Sequence, residues 1–204
     1  RRLNIKPITY REAVQLAFQK IGQNSVVSSW KDSLVSSYKD NSLREHLEVP
    51  VNGCFVDERT VPITTDVDQV LDNIWSIGGN RGWYYTNWLW SIRGVMDKMS
   101  GGVGLRRGRT NFNSINAGDT LDFWRVLVAD KEQKRLLLYA EMKLPGEAWL
   151  DFMIVRNDGL DYLKQTATFR PKGLLGRAYW YSVLPFHYFV FQGMAENIVK
   201  FKAS

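Results

Sequence analysis

The sequence predicts an α+β fold: a curved antiparallel sheet of about six strands wrapped around a long C-terminal helix, with further helices on the same side. Three observations predict it. Beyond residue 50 apolar residues recur first at helical spacing, and then, from Leu121, with a period of two. Short polar or glycine-bearing turns separate the period-two runs, which makes neighbouring strands antiparallel. The chain then closes on FRPKGLLGRAYWYSVLPFHYFVFQGMAENIVKF, Phe169 to Phe201, which reads as one aromatic-rich helix over 174–202.

The elements follow in order. In ITYREAVQLAFQKIGQN, Thr9 and Glu12 have capping-box spacing, Ala13, Val14, Ala17, Phe18 and Ile21 form an apolar stripe, and Gly22 ends the helix. Residues 28–46, rich in Ser, Lys, Asp and Asn, read as a linker. CFVDERTVPI alternates as a strand. TTDVDQVLDNIWSIGG is a helix capped by Thr65, with Val67, Val70, Leu71, Ile74 and Trp75 on one face and Gly78 at its end. WYYTNWLWSIRGVMDKM is a second helix, with Trp88, Ile92, Val95 and Met99 along one side. LDFWRVLVAD, KRLLLYAEMKL, AWLDFMIVRND and YLKQTATFRP are strands, with turns at Lys131–Lys134, Pro145–Gly146 and Asn157–Asp161.

The last helix is too interrupted to span a bilayer. Between Arg177 and Glu196 lie 18 residues, and they include Ser182, Pro185, His187 and Gln192. Its apolar residues run nearly all round, which predicts burial on several sides, with a kink at Pro185. Peripheral contact with a membrane surface stays open, because Tyr and Trp suit the lipid boundary.

Composition places the chain among globular proteins. Of its 204 residues 45% are hydrophobic and 24% charged, enough to bury a core without staples. The single cysteine, Cys54, excludes an internal disulfide and fits a reducing, cytoplasmic setting; it has no activating neighbour and reads as inert. His46 and His187 are the two histidines, which excludes zinc-type Cys/His spacing. The net charge of +6 comes from scattered residues, which argues against a nucleic-acid partner. The chain opens on Arg1 without a signal peptide and reads as part of a longer protein.

Few residues offer chemistry. SGGVGLRRGRTNF has glycines and arginines suited to an anion, but a helix precedes it and a strand follows, the reverse of a dinucleotide loop; a helix end leading into a basic edge strand is the plainer reading. Asp122, Glu141 and Asp151 sit in apolar strands. Each is either paired, with Arg125 and Lys143 as candidate partners, or an acid or base in a pocket. His187 stands among aromatics with no triad partner beside it. The tryptophans serve packing, and they also suit an apolar binding wall.

IWSIGGNRGWYY, GGVGLRRGR, GDTLDFWRVL, LLLYAEMKLPGEAWLDF and QTATFRPKGLLGRAYWYSVLPFHYFVFQGM together resemble domain of unknown function 2867, over roughly residues 52–200. That resemblance implies a domain placed behind an NAD(P)-binding Rossmann domain of the short-chain-dehydrogenase type. Residues 1–50 would then be an N-terminal extension or linker from that upstream domain, and 51–204 the domain itself. NAD(P) would belong upstream, with no cofactor in this chain. The element order is also similar to the helix-grip fold of the START and polyketide-cyclase superfamily, which implies an apolar cavity between sheet and helix. The family carries no established reaction and supplies no catalytic residues.

The expected function is binding of a hydrophobic or amphipathic small molecule or lipid, accessory to an NAD(P)-dependent oxidoreductase-like domain. Trp124, Tyr139, Trp149, Tyr181 and His187 are the expected wall, and Arg125, Glu141, Asp151 and Gln165 the expected polar contacts. Because a strand gives one face to the cavity, some of these must point elsewhere. Two alternatives remain: a cyclase, dehydratase or isomerase using pocket carboxylates, and a structural or interaction domain.

Overall fold

A computed structural model describes residues 9–15, 48–78, 81–99 and 114–202. Most of the N-terminal stripe, the 28–46 linker and the glycine–arginine run at 100–112 lie outside the described residues. The expected capping box is present: Glu12 accepts from the Thr9 amide at 3.0 Å, Thr9 Oγ1 accepts from the Glu12 amide at 3.3 Å, and residues 10–15 are helical.

The domain contains β1 (Phe55–Pro62), α1 (Val67–Ile74), α2 (Asn87–Met99), β2 (Thr120–Leu121), β3 (Trp124–Asp130), β4 (Arg135–Ala140), β5 (Gly146–Asn157), β6 (Leu160–Pro171) and α3 (Gly173–Lys200). The strands form one curved antiparallel sheet in the order β1-β6-β5-β4-β3-β2 and grip α3, the helix-grip arrangement. Its spine is the β5–β6 hairpin, paired from Gly146↔Pro171 to Asn157↔Leu160. The turn between them, Asp158–Gly159, has φ of 49° and 80°, as a two-residue hairpin loop requires.

Three expectations change. LDFWRVLVAD is not one strand, because Asp122 takes φ of 54° and turns β2 back onto β3. The cap of α1 is Asp66, which accepts from the Asp68 amide; Thr65 instead donates to the Val199 carbonyl at 3.2 Å and ties α1 to α3. On α2, Trp88, Ile92 and Val95 face solvent while Trp90 is buried. The buried side of α2 is set by Trp90, which packs into a cluster with Trp83 and Phe123.

Alternation assigns the sheet faces. Leu136, Leu138, Ala140, Leu150, Phe152, Ile154, Leu163 and Ala167 join the main core on the concave side, beneath the helices. Leu127, Leu137 and Trp149 form a second cluster on the convex side, covered in part by Val49 and Tyr139.

The C-terminal half of α3 buries Val190, Phe191, Met194, Ala195, Ile198 and Val199. Asn73 holds its end by donating to the carbonyls of Ile198 at 2.8 Å and Phe201 at 2.9 Å. The N-terminal half is different. Leu174, Leu175, Tyr181, Leu184, Phe186, Tyr188 and Phe189 are exposed, so the helix is not buried on several sides as its composition predicts. One sheet covers only one side of it. No described helix is long and apolar enough to cross a membrane.

Gly176 fixes how closely the start of α3 approaches the sheet. A Cβ there would stand 2.4 Å from the Pro145 carbonyl and 2.9 Å from Pro171 Cα. Backbone cannot yield as a side-chain tip does, so Gly176→Ala is expected to lower unfolding free energy by about 1–3 kcal/mol in urea titration. An unchanged midpoint would contradict this close approach.

Candidate functional site

A pocket of about 330 Å³ lies between α2, the β4–β5 connection and the middle of α3. From α2 come Leu89, Trp90, Ile92 and Arg93; from the connection, Met142, Lys143 and Leu144. From α3 come Tyr179, Val183, Phe186, His187, Val190 and Phe191. Their spacing of three and four residues makes one helical stripe. A smaller gap of about 20 Å³ lies deeper, against the sheet, where His187 and Phe191 meet Trp124, Ala167 and Trp180. That volume suits about one water. The roomier space is therefore beside α3, next to α2, and not directly between α3 and the sheet.

Arg93 is the charged group from α2. Its Nε donates to Met142 Sδ at 3.2 Å and its Nη2 to the Tyr179 hydroxyl at 3.0 Å. His187 packs edge-on against Trp180 at 4.8 Å and Phe191 at 4.7 Å. Its Nδ1 has no hydrogen-bond partner and stands 3.9 Å from Asp57 Oδ2. Burial lowers the His187 pKa to about 4, and the cations Arg93 and Arg59 push the same way. Asp57 does not reverse this, because Arg59 takes its other oxygen at 2.7 Å. His187 is thus neutral near pH 7.

Other expected residues lie apart. Trp124 is buried on the concave side with Trp83 and Phe123 and borders the small gap. Gln165 is 1% exposed on the same side, and neither of its amide atoms has a partner. Tyr181 is exposed, edge-on to Phe55. Arg125, Tyr139, Glu141, Trp149 and Asp151 are on the convex side and do not line the large pocket. There Arg125 pairs bidentately with Glu141 at 2.8 and 3.1 Å. Arg135, not Lys143, pairs with Asp151 at 2.7 Å. Tyr139 packs against Trp149. Asp122 accepts from Trp83 Nε1 at 2.9 Å, and burial raises its pKa. Burial likewise raises the Cys54 thiol. The stripe 179/183/186/187/190 and the lone charge of WLWSIRGVM were the signals for the pocket wall.

Among the described residues no His, Cys, Asp or Glu cluster could hold a metal. The described sheet is antiparallel throughout, so these residues do not supply the parallel strand–loop–helix unit that holds a dinucleotide.

The sequence model of a family described as "Protein of unknown function (DUF2867)" matches residues 52–194. No curated protein sequence matches the chain. Among solved structures, norcoclaurine synthase from Thalictrum flavum is similar at 11% identity and a TM-score of 0.45, over 75% of this chain and 91% of that one. Ara h 8.0201 is similar at 12% identity and a TM-score of 0.39, over 72% and 98%. TTHA0849 from Thermus thermophilus is similar at 11% and 0.35, over 72% and 94%.

The neutral His187 has a thermodynamic consequence. The unfolded side chain titrates near 6.5 and the folded one near 4. As pH falls through that window the unfolded chain takes up a proton that the native state refuses, so stability falls, by on the order of 3 kcal/mol. Above the window this contribution is fully present. Urea midpoints of wild type and His187→Phe, compared from pH 7 to 4, are expected to diverge, with the variant losing less. Parallel curves would contradict the buried neutral imidazole.

Proposed function

We propose that this chain, which belongs to the family described as Protein of unknown function (DUF2867), binds a hydrophobic or amphipathic small molecule in the pocket between α2 and α3. The observation that carries this reading is the pocket itself. Its volume of about 330 Å³ falls in the range of small-molecule sites, and three separate elements supply mostly apolar walls with a few polar groups. His187 is the one residue of the sequence-based set that lines it. Apolar area removed from water on the guest and on Val183, Phe186 and Leu89 supplies the driving force. No catalytic residue is assigned, since Glu141 and Asp151 are engaged by arginines on the far face of the sheet, and Asp122, outside the pocket, accepts from Trp83 Nε1.

The role as an accessory to an upstream NAD(P)-dependent Rossmann domain rests on the resemblance of the sequence, including residues 1–50, and we extend it as part of the same proposal. A second reading, an interaction surface, is favoured by the exposed apolar side chains on the outer faces of α2 and α3.

Titration with the neutral dye N-phenyl-1-naphthylamine is expected to saturate at about one dye per chain. Val183→Trp fills the space and is expected to weaken binding at least about tenfold. Glu141→Gln and Asp151→Asn, on the opposite face, are expected to leave it within about twofold. Absence of saturable binding, or a Val183→Trp variant that binds as wild type does, would overturn the proposal.

A further inference from the structure

The large pocket presents a permanent cation to a mostly apolar space. Arg93 rises from α2, half-buried, beside Met142, Tyr179 and His187. Its two hydrogen bonds go to a thioether and a phenol, both neutral, and the thioether is a weak acceptor. Among the described residues no carboxylate pairs with it. Asp57, on the far side of His187, is already engaged by Arg59 at 2.7 Å.

A guanidinium cannot shed its proton, so it stays charged however little water reaches it. Closing an apolar guest over it would strip its remaining solvent with nothing to replace that solvent. The free energy of a desolvated, unpaired charge is high, and it falls only when an anion with good geometry takes the water's place. The planar fork of Arg matches a carboxylate, two N–H groups to two oxygens. His187, alongside, is neutral and does not repel an incoming anion.

We infer that the guest of this pocket is an amphipathic anion with a carboxylate head, which docks on Arg93 while its apolar body lies along Leu89, Ile92, Val183 and Phe186. This deepens the proposed function and rests on it. The same reasoning disfavours cationic guests, which would meet Arg93 head-on.

Calorimetric titration of the full chain at pH 7 with decanoate, decanol and decyltrimethylammonium tests it. Decanoate is expected to bind at least about tenfold more tightly than decanol, as a charge-assisted pair does, and decyltrimethylammonium more weakly than either. In Arg93→Met the ratio of acid to alcohol affinity is expected to collapse toward one; in Arg93→Lys part of it remains. In the wild type the ratio is expected to shrink with added salt, which carries the test even if Arg93→Met fails to fold. Equal binding of decanoate and decanol by the wild type would overturn the anion assignment and leave the pocket reading standing. So would an Arg93→Met protein that keeps the preference. Binding of none of the three would overturn both.

Discussion

The C-terminal helix rests one side on the sheet and leaves its other side bare, and the rest of the architecture depends on that one-sided seating. At its start, Gly176 lets it pass close to the Pro145 carbonyl, and Trp180 stacks in parallel on Phe55 at 5.3 Å and Phe169 at 5.8 Å. At its end, Met194, Ala195, Ile198 and Val199 sink into the core while Asn73 caps two carbonyls. Residues 181–189 between these anchors are mostly exposed on the outer side. Pro185 falls in this span, where its missing amide leaves the Tyr181 carbonyl without its helical donor. On its inner side the span meets β1, with His187 3.9 Å from Asp57 and Arg59 over the Tyr188 ring; on the side toward α2, the second helix and the Met142–Leu144 connection close the space only partly. The pocket is what remains.

The two faces of the sheet treat polarity differently. On the convex side charges are closed into pairs: Arg125 with Glu141, Arg135 with Asp151, Arg170 with Glu147. Their hydrogen-bonding geometry is satisfied within the protein, which suits a structural role. On the concave side polar atoms are left over. Asp57 Oδ2, Arg59 Nε, both amide atoms of Gln165, His187 Nδ1 and Trp124 Nε1 are buried without partners. Unpaired polar groups in a low-dielectric interior are costly, and they concentrate where a water or a guest can complete them. The ~20 Å³ gap beneath His187 is the size for one such water.

Much of the fold was legible. The period-two runs gave the strands, the turn read at Asn157–Asp161 fell on the central hairpin, and the Thr9/Glu12 pair marked a helix start. Orientation of the strands was not legible. Leu136, Leu137 and Leu138 are all fully buried, and Trp149 and Leu150 are buried on opposite faces. A strand with apolar residues on both sides carries no parity signal, so Tyr139, Trp149 and Asp151 could not be assigned a face from spacing alone. The second helix misled for a related reason. Trp88, Ile92 and Val95 form a clean apolar stripe, yet the buried contacts are made by Trp90 and the side bearing Arg93. Composition counts rings and cannot say which of two apolar faces meets the sheet.

The central claim is that a guest of low polarity sits beside the middle of the last helix, next to α2, and not on the convex side of the sheet. Intermolecular nuclear Overhauser effects between decanoate and methyl-labelled protein test it most directly. The account predicts contacts to the methyl groups of Leu89, Ile92, Val183 and Val190. Contacts to Leu127 and Leu137 instead would place the guest on the other face and contradict it.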